Sequence, residues 1–399
     1  VLRILTASPP PGAMAGAPLR RILMAPMALV FMVFAMTGLG MPVLPVHVHQ
    51  TLGMSSFVVG TVVGSQFAAA LASRLWCGHL CDTRGPRVAL RAGLLAGCLS
   101  GAVYLLSLPF HASPDVAVGV LLLGRALLGA AESFVITGAL AWGIAAAPAS
   151  QTGRVIAWIG IAMYTAFAIG APIGVLLYDT IGFSAIGLAT LVVPAMALPL
   201  LRQAPQRAGP PGAARPSGGM PVLRAVWKPG LGLALSSLGF AAVTTFVALL
   251  FASRGWTPGW AGFTAFSAAF VAARLVGSQL PDRFGGARVA ACGMLVETAG
   301  LALLALAPSA TVALLGSALT GLGYSLVFPG LGLEVVRGAP SGHRALALGS
   351  YTACLDLALA LAGPALGLLA DQAGFAAAFG ASGAVVLLAA AVALRLAHD

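Results

Sequence analysis

Apolar runs of about 20 residues follow one another along almost the whole chain, and no other feature restricts the fold as much. A helix rises 1.5 Å per residue, so a run of that length crosses ~30 Å of hydrocarbon. Lipid offers no hydrogen bonds to an unpaired backbone, which leaves helices as the spanning form for runs this long. The first six spans are expected roughly at Ile22 to His47, Phe57 to Trp76, Val88 to Leu108, Val116 to Trp142, Val155 to Tyr178 and Phe183 to Leu201. The second six are expected at Leu231 to Ala252, Trp260 to Leu280, Val289 to Ala307, Thr311 to Val336, Ala345 to Ala370 and Phe375 to Leu396. Between the sets, Gln203 to Lys228 carries Pro205, Pro210, Pro211, Pro216 and Pro221 with several Arg, a composition that builds no core and reads as a flexible cytoplasmic tether.

The expected architecture is therefore an all-α integral membrane protein with twelve transmembrane helices. Residues 1–21 read as a disordered N-terminal segment, 22–202 as a six-helix half, 203–228 as the linker and 229–399 as a second six-helix half. The opening stretch, with Pro9, Pro10, Pro11 and Pro18, lacks the cleavage site of a signal peptide, and Met14 is an alternative first residue.

Only 8% of the residues are charged, against about 25% in a soluble domain, so no window reads as an independent water-soluble unit. The net charge of +11 would suit nucleic acid if the basic residues clustered on one soluble face, but they recur at intervals along the chain. With both termini taken as cytoplasmic, all but two of the 21 Lys and Arg fall in or within about a turn of cytoplasmic loops. The exceptions are Arg254, on the opposite side, and Arg125, in mid-span. The outward loops carry Asp115, Asp179 and Asp371. The five cysteines lie in apolar runs or at their ends, and Cys77, Cys81 and His79 fall short of the four ligands of a structural zinc site, so neither a disulfide framework nor a metal is expected.

Two internal repeats divide the chain. Arg74, Leu75, Leu80, Asp82 and Gly85 recur as Arg274, Leu275, Leu280, Asp282 and Gly285, 200 positions later. Pro172, Asp179, Gly182 and Phe183 recur as Pro364, Asp371, Gly374 and Phe375, 192 positions later. Spans five and eleven are thus equivalents, and parallel repeats of this kind form a central site between two halves that rock.

The stretch Gly78 to Arg87 reads G-x-L-x-D-x-x-G-x-R between spans two and three, and it resembles the signature of the major facilitator superfamily. Pro86 fills a place that is often basic in that family, and Ser278 replaces the glycine in the second copy. The resemblance implies a gating loop, formed by Gly78, Asp82, Arg84, Gly85 and Arg87 with Asp282 and Gly285, that latches the two halves on the cytoplasmic side. It also gives Arg125 followed by Gly129 a likeness to a motif linked with proton coupling in exporters, with Leu128 where a polar residue is common. Gly170, Pro172 and Gly174 on span five are similar to the Gly-Pro motif of drug:proton antiporters, with Gly363, Pro364 and Gly367 as the counterpart on span eleven. A small-residue packing seam would have the same composition.

Charges at mid-bilayer are costly and usually face a partner or water. Arg125 and Glu132 share one face of span four, separated by ~10 Å along its axis, and Asp356 falls near the middle of span eleven, where an unpaired carboxylate favours its neutral form. Asp356 or Glu132 is expected to carry a proton, with Arg125 biasing its release; a structural hydrogen bond to a neighbouring span is the alternative for Asp356. Glu297, on span nine, is expected to pack against a neighbour outside the mechanism. Tyr164, Tyr324, Phe328 and Tyr351 are candidate substrate contacts, while His47 and His49, two apart, read as interfacial residues and not as metal ligands.

No phosphate-binding, zinc-protease or nucleophile-elbow motif occurs, so no enzyme and no cofactor are expected, and any uphill transport must draw on an ion gradient. The reading is a monomeric, multi-pass transporter of a bacterial cytoplasmic membrane. Its partners are the lipid bilayer and a small-molecule substrate, with no nucleic acid, and proton-coupled efflux of an amphipathic or weakly charged compound is the favoured activity. Symport of a sugar or other metabolite, or a membrane binding or regulatory protein without flux, are the alternatives.

Overall fold

The computed structural model describes residues 19–148, 151–205, 219–340 and 343–396. Most of the expected N-terminal segment and the centre of the expected linker lie outside these residues. Among the described residues every regular element is a helix. The helices are α1 (Leu19–Val46), α2 (Ser56–Arg84), α3 (Pro86–Ser107), α4 (Pro114–Ala146), α5 (Thr152–Ile181) and α6 (Phe183–Ala197), then α7 (Gly219–Ser253), α8 (Ala261–Gly277), the short α9 (Leu280–Phe284), α10 (Gly286–Ala305), α11 (Ala310–Gly338) and α12 (Arg344–Leu396). Ten helical stretches are long and apolar enough to cross a membrane, and α8 is a shorter apolar helix. In α12 the backbone turns at Gly374, whose φ is 82°, so that this element has two arms.

The turns explain the two repeats. Gly85, Gly285, Gly182 and Gly374 all have φ between 82° and 93°, a left-handed conformation that only glycine adopts without strain. Each stands where one helix must stop and the next start at once. Pro86, directly after Gly85, then opens α3 with a fixed φ and no N–H to leave unpaired.

Three boundaries differ from expectation. The stretch Gly78 to Arg84 is not a loop: α2 runs on to Arg84, because nothing before Gly85 breaks it and the Thr83 hydroxyl donates back to the His79 carbonyl. In the second copy the helix pauses at Ser278 and Gln279 and resumes as α9, with Pro281 in its first turn. The expected linker is also shorter, since α7 begins at Gly219. Pro221 is tolerated in its first turn, and Val222 and Val226, one turn apart, are both buried.

Within the first half α1 packs on α5, and α3 on α4 and α6; within the second, α7 packs on α12, and α10 on α11. The halves meet along two long seams, α2 against the first arm of α12 and α5 against α8, with α1 touching α7 between them. The end of the bundle bearing the Gly85 and Gly285 turns is called proximal here, and the end bearing Gly182 and Gly374 distal.

The distal end is closed. The Asp371 carboxylate accepts the backbone N–H groups of Ser56 and Phe57 at 2.7 and 2.9 Å, across the halves, and so caps the positive end of α2. Below it Gly60 and Gly363 meet backbone to backbone, and Gly367 lies against the Ser56 carbonyl, so a Cβ at any of these glycines would strike main chain. Gly170 and Gly174 on α5 do a different job from Gly363 and Gly367. They face Ala35 and Leu39 of α1, inside their own half.

Candidate functional site

Glu132 lies within the first half, on α4, and is buried. The Thr37 hydroxyl of α1 donates to one of its carboxylate oxygens, and the Gln66 side-chain amide of α2 donates to the other at 2.6 Å. Gly129 makes this possible: its face lies against the Gln66 backbone carbonyl, which lets α2 approach closely enough for the amide to reach. Neither donor is charged, and no salt bridge to Glu132 is present among the described residues. Thr37 and Gln66 escaped the sequence reading, since uncharged polar residues in an apolar run give no distinctive signal.

Arg125, two turns distal on the same helix, is completely buried. Gly40 of α1 leaves room for its guanidinium, since a Cβ there would be 3.4 Å from one terminal nitrogen. Among the described residues no acceptor is in hydrogen-bonding geometry with any of its three side-chain nitrogens, nor with the buried Tyr104 hydroxyl of α3. Arg125 and Glu132 therefore share a stripe without touching, as their spacing implies.

Asp356 has a partner. Arg74 of α2 donates to it through Nε at 2.8 Å and through a terminal nitrogen, forming an ion pair between the two halves. The sequence placed Arg74 with the basic residues of a loop; because α2 continues to Arg84, it instead sits ~15 Å inside the helix end. Its recurrence as Arg274 was the signal that could have singled it out.

The aromatic candidates divide. Tyr164 of α5 stacks on Phe270 of α8, with centroids 3.5 Å apart, and Tyr324 of α11 lies 6.2 Å from the same ring and stacks on Phe240 of α7. Phe67 of α2 then touches Phe240, so that a run of rings crosses both between and within the halves. Phe328 and Tyr351 form a separate pair within the second half, the Tyr351 hydroxyl donating to the Phe328 carbonyl at 3.0 Å.

Among the described residues, the remaining candidates touch neither Glu132 nor the Arg74–Asp356 pair. Glu297 on α10 is fully buried and accepts a 2.7 Å hydrogen bond from Ser236 of α7. Asp82, Arg84 and Asp282 are exposed at the proximal end, Arg87 is half-buried there, and no ion pair of these residues occurs among the described residues. His47 stacks flat on Phe183 and its Nδ1 is 3.2 Å from the Tyr178 hydroxyl, while Nδ1 of His49 is 2.7 Å from the Met54 carbonyl.

A bundle of long apolar helices in two repeating halves, closed at one end and holding buried charges and stacked rings along the line where the halves meet, is the architecture of a multi-pass membrane transporter. The family model described as Major Facilitator Superfamily matches residues 27–263 and 230–399, and the chain belongs to that superfamily. It is 42% identical over 368 residues to the MFS-type transporter STM4428 of Salmonella typhimurium, covering 92% of this chain and 94% of the relative. It is 39% identical over 345 residues to the MFS-type transporter BPSL2729 of Burkholderia pseudomallei, covering 86% and 84%. Among solved structures, the inward-open xylose transporter XylE from E. coli superposes with a TM-score of 0.77 over 95% of this chain and 96% of that one, at 14% identity. The nucleoside transporter NupG superposes at 0.71 over 95% and 99%, at 13% identity. At such identities the likeness is one of fold.

Proposed function

We propose that this chain is a twelve-span secondary transporter that exports a small organic compound in exchange for protons, with Glu132 as the proton carrier. In this reading α8 and the two arms of α12 raise the ten long stretches to twelve spans. The arginine-rich proximal end faces the cytoplasm of a bacterial inner membrane, and both termini lie on that side.

The observation that carries the reading is the setting of Glu132. It is buried, it touches only a hydroxyl and an amide, and no cation fixes it in the charged form. A protonated Glu132 would become a donor, and the Gln66 amide oxygen, which has no partner among the described residues, could accept that bond after a rotation of the amide. The site thus accommodates both protonation states by small side-chain moves. Asp356 is bound to Arg74 and is assigned to structure between the halves instead.

Inside-out vesicles holding a respiration-driven pH gradient, read by a quenched acridine dye, test the proposal. A compound class that dequenches the dye should do so at least tenfold less in Glu132→Gln, with the variant present at wild-type level in the membrane. Full dequenching in Glu132→Gln would remove Glu132 from coupling. Substrate-driven alkalinisation outside intact cells would indicate symport in place of export.

A further inference from the structure

Arg74 becomes Arg274 under the 200-residue repeat, and Tyr164 becomes Asp356 under the 192-residue repeat. The four residues are therefore two equivalent pairs, one on each seam between the halves. On the α2–α12 seam the pair is Arg74 with Asp356, and it is ionic. On the α5–α8 seam it is Arg274 with Tyr164, and the carboxylate is replaced by a phenol.

The structure around Arg274 follows from that replacement. Its guanidinium lies over the Phe270 ring, 5.3 Å from the centroid, and Tyr164 stacks on that ring. The titratable groups within its electrostatic reach are the hydroxyls of Tyr164 on α5, Tyr324 on α11 and Tyr351 on the first arm of α12. Among the described residues no carboxylate pairs with Arg274 and no hydrogen bond holds its guanidinium. A half-buried cation among aromatic rings, in the last turn of an apolar helix, is expensive unless an anion joins it. Its symmetry mate has that anion supplied by the chain.

We infer that Arg274 recognises the substrate, and that the substrate is an amphipathic organic monoanion whose carboxylate stands opposite Arg274 as Asp356 stands opposite Arg74. The planar guanidinium matches a carboxylate through two parallel hydrogen bonds, and Phe270, Tyr164 and Tyr324, stacked and buried here, would turn ring faces to the apolar body once the α5–α8 seam parts. Arg125, also without an acceptor among the described residues, lies against α1 inside the first half and away from this seam, so the seam presents one unpaired charge, which suits one anionic group. The inference rests on the reading that substrate passes between the halves, and it adds the chemical class.

Purified protein in detergent is titrated calorimetrically with 1-naphthoate, with 1-naphthamide as the neutral isostere and 1-naphthylmethylamine as the cation. Naphthoate should bind at least tenfold more tightly than either. Arg274→Ala should reduce that preference to less than threefold, and Arg274→Lys should retain part of it. Tyr164→Asp copies the other seam and gives Arg274 an internal carboxylate, so it should lose the preference for the anion even if Arg274→Ala fails to fold. Absence of naphthoate binding, equal binding of naphthoate and naphthamide, or an unchanged preference in Arg274→Ala or Tyr164→Asp overturns the inference. Binding in detergent needs no proton gradient. A failure here therefore leaves proton coupling at Glu132 standing, and a failure of coupling in vesicles leaves this site standing.

Discussion

Glu132 owes its surroundings to residues that say little in a sequence. Gly129 contributes no side chain, and by that absence brings Gln66 onto the carboxylate. Isolated charges in apolar runs, by contrast, are conspicuous, so Arg125, Glu132 and Asp356 were legible at once. Arg74 and Arg274 were hidden by position. Both precede a basic turn; α2 runs on to Arg84 and so carries Arg74 well inside its end, whereas Arg274 stands in the last turn of α8, with α9 between it and Gly285. The Arg74–Asp356 pair predicts a measurable coupling. In a double-mutant cycle of Arg74→Gln and Asp356→Asn, followed by thermal unfolding in detergent, the two changes should be non-additive by ~1 to 3 kcal/mol. Additive losses would show that the pair contributes nothing as a pair.

At the scale of elements, the two seams between the halves are built differently. Gly363 and Gly367 allow α12 to meet α2 main chain to main chain, whereas the equivalent positions on α5 are Ala171 and Val175, and α5 meets α8 largely through rings. Gly363→Val should therefore force the first seam apart and cost ~1 to 3 kcal/mol, read as a lowered melting temperature; an unchanged value would mean that the seam relaxes freely. The spans themselves were legible from length and apolarity, because a bilayer imposes both. Their ends were not, because a helix stops where a backbone dihedral changes sign, and Gly78 and Gly85 look alike until Gly85 alone takes φ of 87°.

For the whole molecule, the repeated halves were readable as two offsets, and the structure turns those offsets into matched turns and matched arginines. What no offset could reveal was which end is closed. Asp371 caps α2 across the distal gap, while its mate Asp179 makes no such bond among the described residues. Removing the cap should favour distal opening by ~1 kcal/mol, about a fivefold change in the ratio of open to closed states. A cysteine at the buried Ser56, in a background lacking native cysteines, should react slowly with a water-soluble maleimide, and several times faster when Asp371→Ala is added. An equal rate would mean that the glycine contacts alone hold this end shut.

Along α2, the contacts with α12 run from the Asp371 cap through Gly60 to Arg74, ~27 Å further in. Carbonyls pressed against glycines cannot tilt without separating, but two long side chains joined by opposite charge can swivel and stay joined. Distal parting would then proceed inward from the cap and stop at the Arg74–Asp356 pair, which acts as a fulcrum near mid-depth. The two halves would tilt about that pair like a beam on its pivot, one end opening as the other closes.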